Sequence, residues 1–157
     1  MSTALLTPYQ KQLVEKLGVF YEKGGLSPVA SRIIALLLVS ARTELTFDEI
    51  REELNISKSA ASNALNLLLS TEQVEYITLP GDRKRYFRSM IINWQGKMKE
   101  KMESMTAMLS LMTEVQNQRP VDPSNEFNQS LSELISFMNF FHAEIPGLFK
   151  KWKSEKH

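Results

Sequence analysis

Residues 46–88, TFDEIREELNISKSAASNALNLLLSTEQVEYITLPGDRKRYFR, carry three kinds of local signal in consecutive order. Thr46 followed three residues later by Glu49 is a capping box, in which each side chain satisfies a backbone N–H of the other. Phe47, Ile50 and Leu54 recur at helical spacing, so a short amphipathic helix begins there and stops near Asn55. Ser57 then stands at the N-cap of a second helix.

The faces of that second helix divide cleanly when each residue is advanced by about 100°. Lys58, Ser59, Ser62, Asn63 and Asn66 fall within an arc of roughly 140°, and Ala60, Ala61, Ala64, Leu65, Leu67 and Leu68 take the rest. An ordinary solvated face is a Glu/Lys mixture, whereas this one is small and made of hydrogen-bonding groups. Such a face suits a helix lying in a major groove, where asparagine bonds adenine bidentately and serine or lysine reaches bases or phosphates.

Val74 to Leu79 alternates as a strand, Pro80-Gly81-Asp82 turns, and Arg85 to Arg88 returns as its partner. The hairpin tip is Asp82-Arg83-Lys84-Arg85. A basic hairpin directly after a polar-faced helix is the wing of a winged helix-turn-helix, reaching the neighbouring minor groove or the backbone. A plain α+β core with a charged turn accounts for each part singly, but their order in one run favours nucleic-acid binding. The DNA-contact set is therefore Ser57, Lys58, Ser59, Ser62, Asn63, Asn66, Arg83, Lys84 and Arg85.

The whole chain has 157 residues, enough for one domain or for a small domain with a helical appendage. A net charge of +1 argues against polycation behaviour but is compatible with a local basic patch. Without cysteine, disulfides, thiolate metal sites and thiol nucleophiles are excluded together, and the expected compartment is the cytoplasm. The N-terminus lacks a secretory pattern, and the longest apolar run, Ile33 to Val39, is too short to span a bilayer, so no membrane partner is expected.

Outside the central stretch, Thr7-Pro8 opens a helix carrying Val14, Leu17, Phe20 and Tyr21 that ends at Gly24-Gly25. Ser27-Pro28 opens the next, Val29 to about Ala41, apolar nearly all round with Arg32 its one charge, and therefore central and buried. Glu44-Leu45-Thr46 is short and extended enough to be a third strand behind the wing. A long helix from Ile92 to about Gln116 carries Trp94, Met98, Met102, Met105, Leu109 and Met112 along one stripe. Pro120 and Pro123 break it. Asp122-Pro123 starts another helix with Phe127, Leu131, Leu134, Ile135, Met138 and Phe141 on its apolar side, and Pro146-Gly147 kinks or ends it before a short basic segment, Leu148 to Trp152.

The expected fold is mainly α with a small β wing: an N-terminal dimerisation helix in residues 1–25, a winged helix-turn-helix DNA-binding domain in 26–90, and a C-terminal helical dimerisation region in 91–157. Apolar stripes too long for so small a domain to cover point to a second copy of the chain. A two-fold homodimer sets two recognition helices about one turn of DNA apart, suiting a palindromic operator on double-stranded DNA.

The order of parts resembles the MarR superfamily of bacterial transcription regulators, and more closely its GbsR-like branch. The residues carrying the resemblance are Gly25-Leu26-Ser27-Pro28-Val29-Ala30-Ser31-Arg32-Ile33-Ile34-Ala35, the run Leu45 to Ala64, and the wing Leu79 to Arg88, within roughly residues 10 to 115. The resemblance implies a dimeric winged-helix repressor or activator that responds to a small-molecule effector bound between the interface and the DNA-binding lobes. The family's wing signature of Asp followed by Arg maps onto Asp82 and Arg83, with Arg85 after it, and the intervening Lys84 leaves open which cation enters the minor groove.

The methionine stripe reads as core and dimer contact rather than a ligand pocket, since methionine fills irregular gaps. Phe137, Phe140, Phe141, Trp94 and Trp152 include the residue types of an aromatic cage for a quaternary ammonium ion, though helical packing accounts for them with less. His142 and His157 are too few for a metal site, and no cofactor is expected. Asp48-Glu49 and Glu52-Glu53 are paired acids without a partner nucleophile, and Gly24-Gly25 lacks the strand of a phosphate loop, so no enzyme is read here. The competing class is a winged-helix adaptor that binds protein and not DNA, which should carry apolar or mixed-charge residues where this chain has Asn63, Asn66, Arg83 and Lys84.

Overall fold

The computed structural model describes residues 5–156, in two compact units, the first ending at Asn93 and the second beginning at Trp94. Helix α1, Pro8–Lys23, starts from a Thr7 cap in which Gln10 returns the bond, and α2, Pro28–Val39, starts from Ser27. Gly25 at φ 98° supplies the left-handed turn between them. Helix α2 is central: Ala30, Ile33, Ala35 and Leu36 are wholly excluded from solvent. Burying each such Ile or Leu contributes about 1.5–3 kcal/mol.

Its single charge is paired across to α1, where Arg32 Nη2 lies 3.1 Å from Glu15 and Nη1 donates to Glu22. These bonds, the one to Glu22 foremost, hold the guanidinium above its usual range against the opposing effect of burial. Buried Gly18 of α1 lets the pair approach, because a Cβ there would stand 3.1 Å from Arg32 Cγ.

Strand β1, Leu45–Thr46, leads without a loop into α3, Phe47–Glu53, and both bonds of the Thr46/Glu49 capping box form. Helix α4, Lys58–Ser70, follows, then β2, Val74–Thr78, and β3, Arg85–Ser89, in an antiparallel sheet of order β1-β3-β2. The register sets Leu45 and Tyr76 on either side of Phe87, and Val74 opposite Ser89, so Leu45, Val74 and Phe87 share the face that closes the core with Ile50, Leu65 and Leu68. The mainly helical winged helix-turn-helix read from the sequence is the fold observed.

In the second unit, after a 3-10 turn at Met90–Asn93, α5 spans Trp94–Gln118 and α6 spans Glu126–Glu155. Trp94 meets Trp152, Thr106 bonds His142 and Arg119 bonds Asn128, so the two run antiparallel. Leu109, Leu131 and Ile135 are buried, while Met108, Leu111, Phe137 and Phe140 stay more than half exposed.

One expectation about α6 fails. Asp122-Pro123 does not start it: Asp122 Oδ1 accepts from the backbone N–H and hydroxyl of Ser124 at 2.9 and 2.6 Å, closing a turn, and Asn125 is the cap, accepting from Asn128 N–H at 3.0 Å. Of the two outcomes expected at Pro146, a kink or an end, the end does not occur, and the helix runs on to Glu155. The proline lies on an exposed face, where water can take the orphaned carbonyl, and Phe149 and Trp152 beyond it pack on Trp94, which offsets a penalty of about 3 kcal/mol. Among the described residues no helix is long and apolar enough to cross a membrane.

Candidate nucleic-acid interface

Helix α4 is placed by the turn before it. Asn55 takes φ 49°, a left-handed conformation that asparagine tolerates, while Ile56 N–H returns to the Arg51 carbonyl at 3.0 Å. Ser57 is extended, and its hydroxyl oxygen accepts from Ala60 N–H at 3.2 Å and lies 3.2 Å from the Ser59 hydroxyl. The two serines are thus engaged in the cap itself.

Ala61, Ala64, Leu65 and Leu68 face the core. Leu67, outside the polar arc of the helical wheel, does not join them and is 42 % exposed. It follows Asn66 and precedes Leu68 by about 100° each, so it falls at the margin of the covered face rather than within it. On the open face Lys58, Ser59, Asn63 and Asn66 are exposed and Ser62 is half-buried.

The wing is held by its turn. Asp82 N–H donates to the Leu79 carbonyl at 3.0 Å across Pro80-Gly81, with Gly81 at φ 80°, the left-handed value a type II turn needs at that place. Asp82 Oδ1 accepts from Lys84 N–H at 2.9 Å and Oδ2 from the Tyr86 hydroxyl at 2.6 Å. The Tyr86 bond foremost, and the Lys84 N–H after it, hold the Asp82 carboxyl below the usual carboxylate range, and the same bond raises the Tyr86 hydroxyl. At the base of the wing Arg88 pairs with Glu75 at 2.6 Å. Arg85 lies over the Tyr76 ring, 5.2 Å from its centroid.

Between α3, α4 and β3 runs an open groove of about 450 Å³. Lys58, Ser62 and Asn66 line it from the helix, Lys84 and Arg85 from the wing, and Thr46, Phe47 and Asp48 from the end of β1 and the start of α3. The charge is distributed unevenly. In the body of this unit Lys11 pairs with Glu53, Arg32 with Glu15 and Glu22, Arg42 with Glu49, and Arg51 with Asp48 and Glu52. The side chains of Lys58, Asn63, Asn66, Arg83 and Lys84 make no hydrogen bond or ion pair among the described residues. Paired cations leave little field at a distance, so the unpaired Lys58, Arg83 and Lys84 give α4 and the wing a local positive field.

Five of the nine residues singled out in the sequence thus line one groove. Ser57 and Ser59 belong to the cap, Asn63 is exposed on α4 outside the groove lining, and Arg83 is exposed at the tip. Sequence reasoning passed over Tyr76 and Tyr86, which hold Arg85 and Asp82. Their signal was available in the hairpin register, which sets Tyr76 diagonal to Arg85.

In the second unit Trp94 gathers Phe149 and Trp152, while Phe137 stacks on Phe141, which lies about 16 Å from Trp152 along α6 at 1.5 Å per residue, so the five aromatics do not converge on one cage. His142 Nε2 lies 2.7 Å from the Thr106 hydroxyl, and His157 lies outside the described residues. Among the described residues no cluster of three His, Cys, Asp or Glu could hold a metal ion.

Residues 24–85, the span of α2 through the wing, match the MarR family model. The HTH-type transcriptional regulator MmpR5 of Mycobacterium tuberculosis (strain ATCC 25618 / H37Rv) is 29 % identical over 77 residues, 49 % of this chain and 47 % of that protein, so the chain spans about half the length of that relative. A crystal structure of a transcriptional regulator superposes with a TM-score of 0.70 at 20 % identity, covering 94 % of this chain and 99 % of that one, which shows a shared fold.

Proposed function

We propose that this chain is a DNA-binding transcription regulator of the MarR superfamily, in its GbsR-like branch, acting in the cytoplasm as a homodimer on a palindromic operator. The observation that carries the reading is the groove in which the polar face of α4 and the cations of the wing stand together with their donors unused. A helix presenting free asparagines and a hairpin presenting free lysine and arginine divide the work as DNA readers do: base edges to the helix, phosphates and minor groove to the wing. The match over residues 24–85 and the likeness to a protein named as a transcriptional regulator support the same reading.

Dimerisation follows from the helices outside the winged unit. Val19 and Phe20 of α1, and Leu111, Phe137, Phe140 and Leu148 of the second unit, leave large apolar side chains in water. A second copy of the chain covers such surface at no cost in new sequence. Regulation by a small-molecule effector is the mode proposed, with repression as its sense.

Selection of duplexes from a random pool, followed by footprinting, tests the reading. Enriched sequences should be palindromic, with half-sites about one helical turn apart, and sedimentation should give twice the chain mass for the free protein. Recovery of no enriched sequence, or a monomer on a single half-site, would overturn it.

A further inference from the structure

The tip of the wing carries an acid between its anchoring turn and its two free cations, and that acid needs an explanation if the wing meets a phosphate backbone. Asp82 precedes Arg83 and Lys84 directly, and a carboxylate loose at that point would repel the phosphates its neighbours attract. It is not loose. Both oxygens are occupied from within the hairpin, Oδ1 by the Lys84 N–H at 2.9 Å and Oδ2 by the Tyr86 hydroxyl at 2.6 Å.

The first bond is local and comes from the turn itself. The second comes from a half-buried side chain on β3, which pairs with Ile77 of β2 and Thr46 of β1 across the sheet. A phenylalanine would fill that position in the sheet equally well, so packing does not account for the hydroxyl. Its one hydrogen-bond partner among the described residues is Asp82.

We propose that Tyr86 is a positioning residue of the wing, whose hydroxyl holds the Asp82 carboxylate in the turn so that Arg83 and Lys84 face the DNA phosphates with no free acid between them. Tyr86 itself touches no DNA. It fixes the direction of the tip and turns the one negative charge there inward, and this rests on the DNA-binding reading above.

The test is a salt titration of binding to a mixed-sequence duplex, since phosphate contacts do not depend on an identified operator. Tyr86→Phe, Asp82→Ala, the double variant and Arg83→Ala are compared with the wild type. Tyr86→Phe should bind about tenfold more weakly, with the slope of log affinity against log salt reduced by about 0.9 for each phosphate no longer neutralised, and with its circular dichroism spectrum that of the folded wild type. In the Asp82→Ala background the same substitution should change nothing further, because its partner is gone. An unchanged slope in Tyr86→Phe, or an equal loss with and without Asp82, overturns the proposal. If Arg83→Ala also leaves the slope untouched, the wing does not meet DNA and the function assigned to it falls as well; if Arg83→Ala lowers the slope while Tyr86→Phe does not, the positioning role alone fails.

Discussion

Asn63 and Arg83 are both exposed and unpaired, yet the interactions expected of them with DNA differ in kind. Asn63 projects from a helix face where it can reach a base edge, so Asn63→Ala should cost about 1–3 kcal/mol on a selected operator and little on scrambled duplex. Arg83 stands at a hairpin tip, so Arg83→Ala should weaken both duplexes alike and lower the salt slope by about 0.9 for each phosphate it had neutralised. A salt titration on the two duplexes checks this, and equal losses from Asn63→Ala on both would reverse the assignment. Ser31 poses a different question, being wholly buried in α2 with a hydroxyl that has no partner among the described residues. Removing an unsatisfied buried polar atom relieves its desolvation, so Ser31→Ala should raise stability by about 1 kcal/mol in denaturant unfolding. At this scale the sequence is legible where a residue's role is local, as with the Thr46 and Ser57 caps. It is not where burial depends on a neighbouring element: helical position puts Leu67 on the apolar side with Ala64 and Leu68, and only the latter two are buried.

The elements were legible where their ends are written in side chains that bond their own backbone. Thr7, Ser27, Thr46 and Ser57 each start a helix where expected, and Pro80-Gly81 turns the wing. The start of α6 is less legible, because a proline carries opposite meanings in and around a helix. Asp122-Pro123 resembles a start but closes a turn, and Pro146 resembles a stop but is outweighed by aromatic packing between residues far apart in sequence, such as Trp94 with Phe149. The α3 cap carries a pH signature. Burial pushes the Glu49 carboxyl up, but the bonds from Arg42, at 2.5 Å, and from the backbone and hydroxyl of Thr46 outweigh it and hold it below its ordinary value. A depressed carboxyl stabilises the fold above its unfolded value, 4.5, and that contribution is lost as pH falls through the lower folded value. Glu49→Gln should therefore be less stable than wild type at neutral pH and converge on it in acid. Parallel stability curves for the two proteins down through that window would show that Glu49 contributes nothing through its charge.

For the whole molecule, the proposed control rests on a free-energy coupling between an effector and DNA. A homodimer in which long helices join both winged units to one interface can bias the spacing of two α4 helices through a small change at that interface, without covering either. The effector then acts only through its different affinities for the DNA-competent and incompetent arrangements. Linkage makes this reciprocal: whatever factor the effector takes from operator affinity, operator must take from effector affinity, typically about 5- to 150-fold. Titrating a compound that releases the selected operator, once with free protein and once with the saturated complex, measures both sides of the cycle. The two factors should agree. If instead the compound binds free and DNA-saturated protein equally, it does not act through the dimer's arrangement. If its apparent affinity instead keeps falling in proportion to DNA concentration with no plateau, compound and DNA exclude each other, and the mode of control is competition, for which the groove lined by Lys58, Asn66 and Lys84 is the candidate site, rather than a shift between two arrangements.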